Sequence, residues 1–501
     1  MRVITFQPAE REGARAEEAA GVSKQLDPFA GSYEAFGLVT PPYGENSFDV
    51  ITRRYDNSDA LQSGIDAMVT NVCAFGVQCV GYAAELPPEA NDEIGAERRS
   101  LQTILDHLSS LGSFNAVRKR VRRDYELFGD GYYELLRDAA GKLVGLEHMP
   151  AGTVRKSRLS ERPVPMDVWQ RGEDGAFTRG KAWRRVRRYA QCIDGRYQWF
   201  KEYGDPRPIR GDTGAEDPDA PPEALANEVI NLCHYEPDGF NLTPYGKPRW
   251  RGAAPDIAGR AAAASVNADI FDNRAIPPMA ILVQGAQFDN DVIDRITEHF
   301  VAVKGRRAFN TPLILEAVGA DGGTDASDPA GITRPGAVPK IDFKDLSKAT
   351  PTDAQFLEYR KDCTAAVRMA FRLPGIYMGQ SDEYNFATAQ TARTVTEEQV
   401  FQPERSDEDD LYNVTILPEL GARWTKIQTK GPPLLDENTL LKVIELGART
   451  GALTVGNVSE LLEPMLRIEL SSAAAWRKLP VRVLQALADK ALLPKEVVDL
   501  V

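Results

Sequence analysis

The sequence predicts an α+β chain, mainly α, and three observations point there. Apolar residues recur at helical spacing in several separate stretches. A strand-textured region follows Gly129-Asp130-Gly131, and a short α/β segment sits between two helices whose facing ends carry prolines. At 501 residues the chain exceeds what one hydrophobic core usually holds, so more than one substructure is expected. It is 43% apolar and 27% charged, an ordinary balance that excludes global disorder.

Residues 1–49 mix charges with Gly, Pro and Ser through Thr40-Pro41-Pro42-Tyr43-Gly44 and read as an extended arm. From Ser58, a fair N-cap, a helix runs to Cys73 with Leu61, Ile65, Met68, Val69 and Val72 in line. A second fits Ala96 to Leu111, with Leu101, Ile104, Leu105 and Leu108 on one face, and a third runs from Phe114 into Leu127. Strands follow at Tyr132–Leu136 and Leu143–Leu146 around the turn Asp138–Gly141, and short strands continue toward Phe200. Residues 204–225 form a Pro/Gly/Asp-rich loop, read as a surface insertion, before a buried strand at Val229–Leu232.

The next helix, Ala253 to Phe271, carries Ala261, Ala262, Ala263 and Ala264, small side chains that let a neighbouring helix come close. The alternative is a surface helix rich in the best helix former. Pro277-Pro278 ends it. A compact insert over 279–348 holds strands at Met279–Val283, Pro312–Leu315 and near Ile341, a helix marked by Val292, Ile296 and Phe300, and a Gly-rich stretch at 319–336. Thr352-x-x-Gln355 is a capping box for a helix that stops at Leu373-Pro374-Gly375. A polar loop, Gly379 to Asn385, leads into a long helical stretch from Ala387 to Leu420 that Pro403 should kink. Short helices at 438–446, 455–462 and 481–488 complete the chain.

Little in the sequence points to chemistry. His107, His148, His234 and His299 form no HExxH, and Cys73, Cys79, Cys192, Cys233 and Cys363 form neither a CxxC nor a disulfide framework. Cys233-His234 reads as an ordinary core pair. GxxxxGK[ST], GxSxG and GxGxxG are missing, so no cofactor, metal or catalytic residue is expected. Sixty Lys+Arg against 73 Asp+Glu give a net charge of −13, which argues against a general nucleic-acid binder. No apolar run is long enough to span a bilayer, and the first 20 residues do not read as a signal peptide, so a cytoplasmic chain is expected. Two basic clusters, Val117–Arg123 and Trp183–Tyr189, allow phosphate contact. The plainer readings are a solvated face or partners for carboxylates on another subunit. The acidic run Ser406–Asp410 reads as a solvated helix face.

Taken in order, several strings resemble the portal proteins of tailed bacteriophages and their prophage relatives. They are Arg53-Arg54-Tyr55-Asp56-Asn57-Ser58-Asp59-Ala60-Leu61 with Ile65–Val69, Asn71 and Phe75-Gly76; Tyr245-Gly246; and Phe271-Asp272-Asn273-Arg274-Ala275-Ile276-Pro277-Pro278. Phe371-Arg372-Leu373-Pro374-Gly375-Ile376-Tyr377-Met378-Gly379 follows, then Tyr384-Asn385-Phe386-Ala387 and Phe401-Gln402-Pro403-Glu404. The likeness covers residues 50 to 425, and the 204–225 and 319–336 loops depart from it.

The resemblance implies a portal fold built as a cyclic ring, usually of twelve copies, around a central channel. After the arm at 1–49, it implies a wing at 50–252, stem helices at 253–276 and 350–373, and a clip at 277–349. A tunnel loop at 374–388, a long kinked wing helix at 389–430 and a helical crown at 431–501 would follow. Gln380, Ser381, Asp382, Glu383, Tyr384 and Asn385 would face DNA in the channel, and Ala261–Ala264 would pack in the stem. The implied partners are further copies of the chain, double-stranded DNA, the terminase large subunit, a head–tail adaptor and the major capsid protein. The implied location is the virion's portal vertex, with host cytoplasm during assembly. An acidic pore suits passage of DNA without grip, because each phosphate contact adds drag. The rival readings are a head-associated adaptor or scaffold without a channel, and a carboxylate-based hydrolase.

Overall fold

A computed structural model describes residues 27–29, 31–42, 47–81, 91–110, 112–172, 176–234, 243–273, 279–284, 313–317, 340–345, 353–380, 385–432, 437–466 and 480–483. The chain divides into two compact units, Met1–Lys430 and Gly431–Val501.

Of the arm expected at 1–49, the residues described between 27 and 42 are folded against the sheet rather than extended, and residues 1–26 lie outside the described residues. Phe29, Tyr33 and Leu38 are buried against Ala190, Cys192 and Trp199, and Asp27 pairs with Arg155 at 2.7 Å. Helices α1 (Ser47–Asp56) and α2 (Asp59–Cys73) follow, and the expected cap is present, since Ser58 Oγ accepts from the Leu61 amide. Strand β1 (Val77–Gly81) leads to α3, which spans Asn91–Asp106 rather than 96–111. Leu101, Leu105 and Leu108 are buried, whereas Ile104 is exposed. Helix α4 spans Phe114–Phe128 and ends on Gly129, whose φ of 84° suits a glycine. A Cβ on Gly246 would overlap the Gly129 carbonyl, so this crossing needs glycine on both segments.

Next come β2 (Asp130–Arg137), β3 (Leu143–Met149), β4 (Val154–Lys156), β5 (Val164–Arg171), β6 (Phe177–Arg184), β7 (Arg188–Ile193), β8 (Arg196–Glu202) and β9 (Glu228–Cys233). Six of them form a sheet in the order β3-β2-β9-β8-β7-β4, antiparallel except for the β8–β9 pair. Strands β5 and β6 stand apart as a two-stranded hairpin. The basic cluster at 183–189 therefore does not lie on a single strand. It divides between β6 and β7, with Val186 buried in the link. The 204–225 segment is packed onto the sheet: Ile209 is fully buried, and the Trp199 amide donates to the Gly211 carbonyl at 2.7 Å. Cys233 and His234 are half-buried rather than core, and burial lowers the His234 pKa.

Helix α5 spans Ala254–Asn273. Strands β10 (Met279–Gln284), β11 (Leu313–Ala317) and β12 (Lys340–Asp345) make a small sheet with a parallel β10–β11 pair and an antiparallel β10–β12 pair. The helix expected at 292–301, the Gly-rich stretch at 319–336 and the cap residue Thr352 lie outside the described residues. Helix α6 spans Asp353–Phe371 and α7 spans Phe386–Thr396. A π-turn at Glu397–Phe401 then leads into α8 (Gln402–Glu419), so the break expected from Pro403 is a π-turn placed just before it. Strand β13 (Thr425–Thr429) pairs with β1 and closes the unit.

Two main cores result. One gathers α1, α2, the start of α5 and the end of α6 around Leu61, Ile65, Trp250, Phe371 and Phe401. The other gathers α3, α4, β2, β3, α8 and β13 around Val117, Val121, Leu135, Tyr412 and Ile427. Each fully buried large apolar side chain contributes about 1.5–3 kcal/mol. The second unit holds α9 (Glu437–Thr450) and α10 (Val455–Leu466), joined by a turn through Gly451 at φ 76°. Of the helix expected at 481–488, only residues to Val483 are described. No helix among the described residues is long and apolar enough to cross a membrane.

Candidate functional site

The polar loop picked out by sequence joins α6 to α7, and both of its ends are held. Past Phe371, Arg372 adopts a left-handed backbone with φ 57°, and the Leu373 amide donates to the Arg368 carbonyl at 3.1 Å. Pro374 then opens a 3-10 turn, Gly375–Met378, which closes on Gly379 at φ 76°. Gln380 Oε1 accepts from Arg368 Nη1 at 2.7 Å, tying the loop's first residue back to α6. Ser381, Asp382, Glu383 and Tyr384 lie outside the described residues. At the far end Asn385 Oδ1 accepts from the Thr388 amide at 2.9 Å, and Thr388 Oγ1 accepts from the Asn385 amide at 3.0 Å. This capping box starts α7. The side chains of Gln380 and Asn385 are thus engaged in anchoring the loop. Beside it, an open groove of about 470 Å³ is lined by Met369, Arg372, Leu373, Pro374, Val395 and Val400.

Helices α5 and α6 lie against each other, the start of α5 meeting the end of α6 through Ala254, Ile257, Val367 and Phe371. A Cβ on Gly259 would overlap the Tyr359 hydroxyl. Of the four alanines only Ala263 is buried within the chain, while Ala261, Ala262 and Ala264 are exposed. At the base of the pair, Phe371 sits directly over Gly64 of α2, where a Cβ would come within 2.8 Å of the ring.

Further along, α8 is locked to α4 by charge. Arg118 Nη2 pairs with Glu408 Oε2 at 2.8 Å, and Arg122 Nη1 takes Glu408 Oε1 at 2.8 Å. Arg122 Nη2 reaches Glu126 at 2.6 Å and Glu404 at 2.8 Å, while Arg249 Nη2 donates to Glu126 at 3.0 Å and to Glu404 at 2.9 Å. Three guanidiniums therefore meet three carboxylates, with Arg118, Arg122, Glu126 and Glu408 buried and Glu404 and Arg249 half-buried at the edge. Burial alone would raise the Glu404 carboxyl, but Arg122 and Arg249 outweigh it and hold the pKa at about 2. Burial likewise opposes ionisation of Glu408, and Arg118 with Arg122 still keeps its pKa low.

This arrangement corrects two sequence readings. Arg118 and Arg122 of the first basic cluster are neither phosphate-facing nor aimed at another subunit, because their carboxylates are in the same chain. The acidic run is not simply a solvated face, since Glu408 is buried and Asp409 accepts from Thr429 Oγ1 at 2.6 Å. A signal was present. Arg118 and Arg122 share an i, i+4 spacing on the stripe of Val117 and Val121, and Glu404, Glu408 and Tyr412 repeat that spacing with Tyr412 apolar-facing. Among the described residues, no three of His, Cys, Asp and Glu gather as metal ligands.

No family model matches the chain. The uncharacterized protein YqbA of Bacillus subtilis is 33% identical over 88% of this chain and 84% of its own length. The phage-like element PBSX protein XkdE of the same organism is 31% identical over 89% of this chain and 88% of its own. Among solved structures, a chain from the neck of a native gene transfer agent particle, computed with C12 symmetry, aligns with a TM-score of 0.51 at 16% identity. That match covers 86% of this chain and 96% of that one, and it shows a shared fold. With phage-like relatives alike along nearly their whole length, and a mixed α+β fold shared with a particle neck, the chain belongs to the portal protein family of tailed bacteriophages and prophages.

Proposed function

We propose that the chain forms a ring, of twelve copies by family resemblance, at one vertex of a capsid, and that double-stranded DNA is packaged and ejected through its channel. The observation that carries this reading is the whole-length fold match to a chain from a particle neck, joined to kinship with a phage-like element protein. In this reading α5 and α6 form the stem, and the β10–β12 insert forms the clip that docks the terminase large subunit and later the head–tail adaptor. The 380–385 loop lines the channel, where Asp382 and Glu383 repel phosphates. A net charge of −13 per copy favours passage over adhesion, and screening over about 8 Å keeps the repulsion local at physiological salt. A closed ring requires two different surfaces to meet head to tail.

Purified protein should elute as a particle near twelve times 55.2 kDa and show a central hole in negative-stain images. A monomer, or a particle without a hole, would sink the channel and leave an adaptor or scaffold role. Deleting residues 320–335 should leave the ring intact, because loop tips tolerate change.

A further inference from the structure

The β5–β6 hairpin carries an exposed patch whose arginines form no ion pair among the described residues. Trp183 is 72% exposed, the most open of the large aromatic side chains described. It sits opposite Pro165 in the register and is followed by exposed Arg184 and Arg185. Neither arginine forms an ion pair among the described residues, whereas Lys181 and Arg179, nearer the turn, pair with Asp167 and Glu419. A two-stranded ribbon is marginal alone. This one is fastened to α8 only at its other end, where Trp169 Nε1 and Arg179 meet Glu419.

A complementary surface exists on α8. Asp407, Asp410 and Val414 are spaced i, i+3, i+7 and so share one face, opposite the buried face of Glu408 and Tyr412. All three are exposed, Val414 by 57%, and neither aspartate forms an ion pair among the described residues. Each patch thus presents two unpaired charges beside one exposed apolar side chain, with opposite sign.

We propose that Trp183, Arg184 and Arg185 of one copy dock on the Asp407–Asp410–Val414 face of α8 in the next copy. This rests on the ring reading and names the surfaces that meet in it. Trp183 covers Val414, and the guanidiniums neutralise the two carboxylates. The contact is heterologous, as a closed ring requires. Aromatic and arginine anchors are the residue types enriched where protein partners dock.

The test is a charge exchange in the full chain, read as particle mass by sizing with light scattering. Arg184→Glu with Arg185→Glu, and separately Asp407→Lys with Asp410→Lys, should each weaken assembly by roughly tenfold or more. The fourfold variant should restore it. Independently, Trp183→Cys with Val414→Cys should give a ladder of covalent oligomers on oxidation. Four of the five native cysteines are buried and the fifth half-buried, so they give little background. Wild-type assembly by both charge variants, failure of the fourfold variant to recover, or no ladder from assembled cysteine particles would each overturn the docking while leaving the ring standing. A monomeric wild-type chain would overturn both.

Discussion

Helix pairs in the first unit are held by opposite means. Between α4 and α8 the contact is closed by added groups, three glutamates with Arg118, Arg122 and the neighbouring Arg249. Between α5 and α6 it is closed by missing atoms, with Gly259 under the Tyr359 hydroxyl and Ala263 buried a turn further on. The first should fail when anything is taken away, and the second when anything is put in. A buried ion pair is costly to break because the surviving charge is stranded out of water. A close helix contact is costly to fill because interiors pack near crystal density.

Removing one charge should give the largest effect. Glu408→Ala strands Arg118 and takes one of the three carboxylates from Arg122, and should cost about 3–5 kcal/mol of stability in urea denaturation. A loss below about 1 kcal/mol would mean that water reaches the guanidiniums. Next is acid sensitivity. Glu404 titrates at about 2 in the folded chain against an ordinary 4.5, so its share of stability is complete above 4.5 and is lost as pH falls toward 2. That share is on the order of 3 kcal/mol. Glu404→Gln should flatten the acid limb of a stability curve, and an unchanged limb would assign it to other carboxylates.

On the shape-held side, Ala263→Leu should cost roughly 1–3 kcal/mol in a dissociated chain by overpacking. Ala262→Leu, exposed within the chain, should stay within about 0.5 kcal/mol there and act only on assembly. Equal effects from the two would place the tight contact elsewhere. Smallest of all, Arg372→Gly should stabilise by less than about 1 kcal/mol, since relief of the left-handed strain is partly offset by glycine's freedom when unfolded. Clear destabilisation would show that the Arg372 side chain matters more to folding than its backbone does.

The contrast also explains what could be read from sequence. Local devices were legible: the Ser58 cap, the 138–141 turn between β2 and β3, the three insert strands, and the interruption at Pro403 all appear where local chemistry put them. Gly259 went unnoticed because a lone glycine in a helix says nothing of what crosses it. The charged lock was split into two unrelated clusters because its halves are nearly 300 residues apart, as in Arg118 and Glu408. The packing of Phe29, Tyr33 and Leu38 onto Ala190, Cys192 and Trp199 was hidden by a similarly long separation. Pairing across such separations is set by the assembled surface, not by the period of either partner.

The π-turn before Pro403 has a mechanical consequence. Its wider loop of backbone holds one residue more than a plain helical turn, and Thr396, Glu397, Val400 and Phe401 along it are all buried. One added residue corresponds to a phase offset of about 100° between α7 and α8. The α8 face is fixed by the arginine lock, so the offset decides which way the start of α7 at Asn385 faces. Removing one residue from 397–401 would return the helix to a single phase and swing that end around its axis without loosening a contact of the lock. The heading of α7 is therefore written as a count of residues, about three turns away from its start.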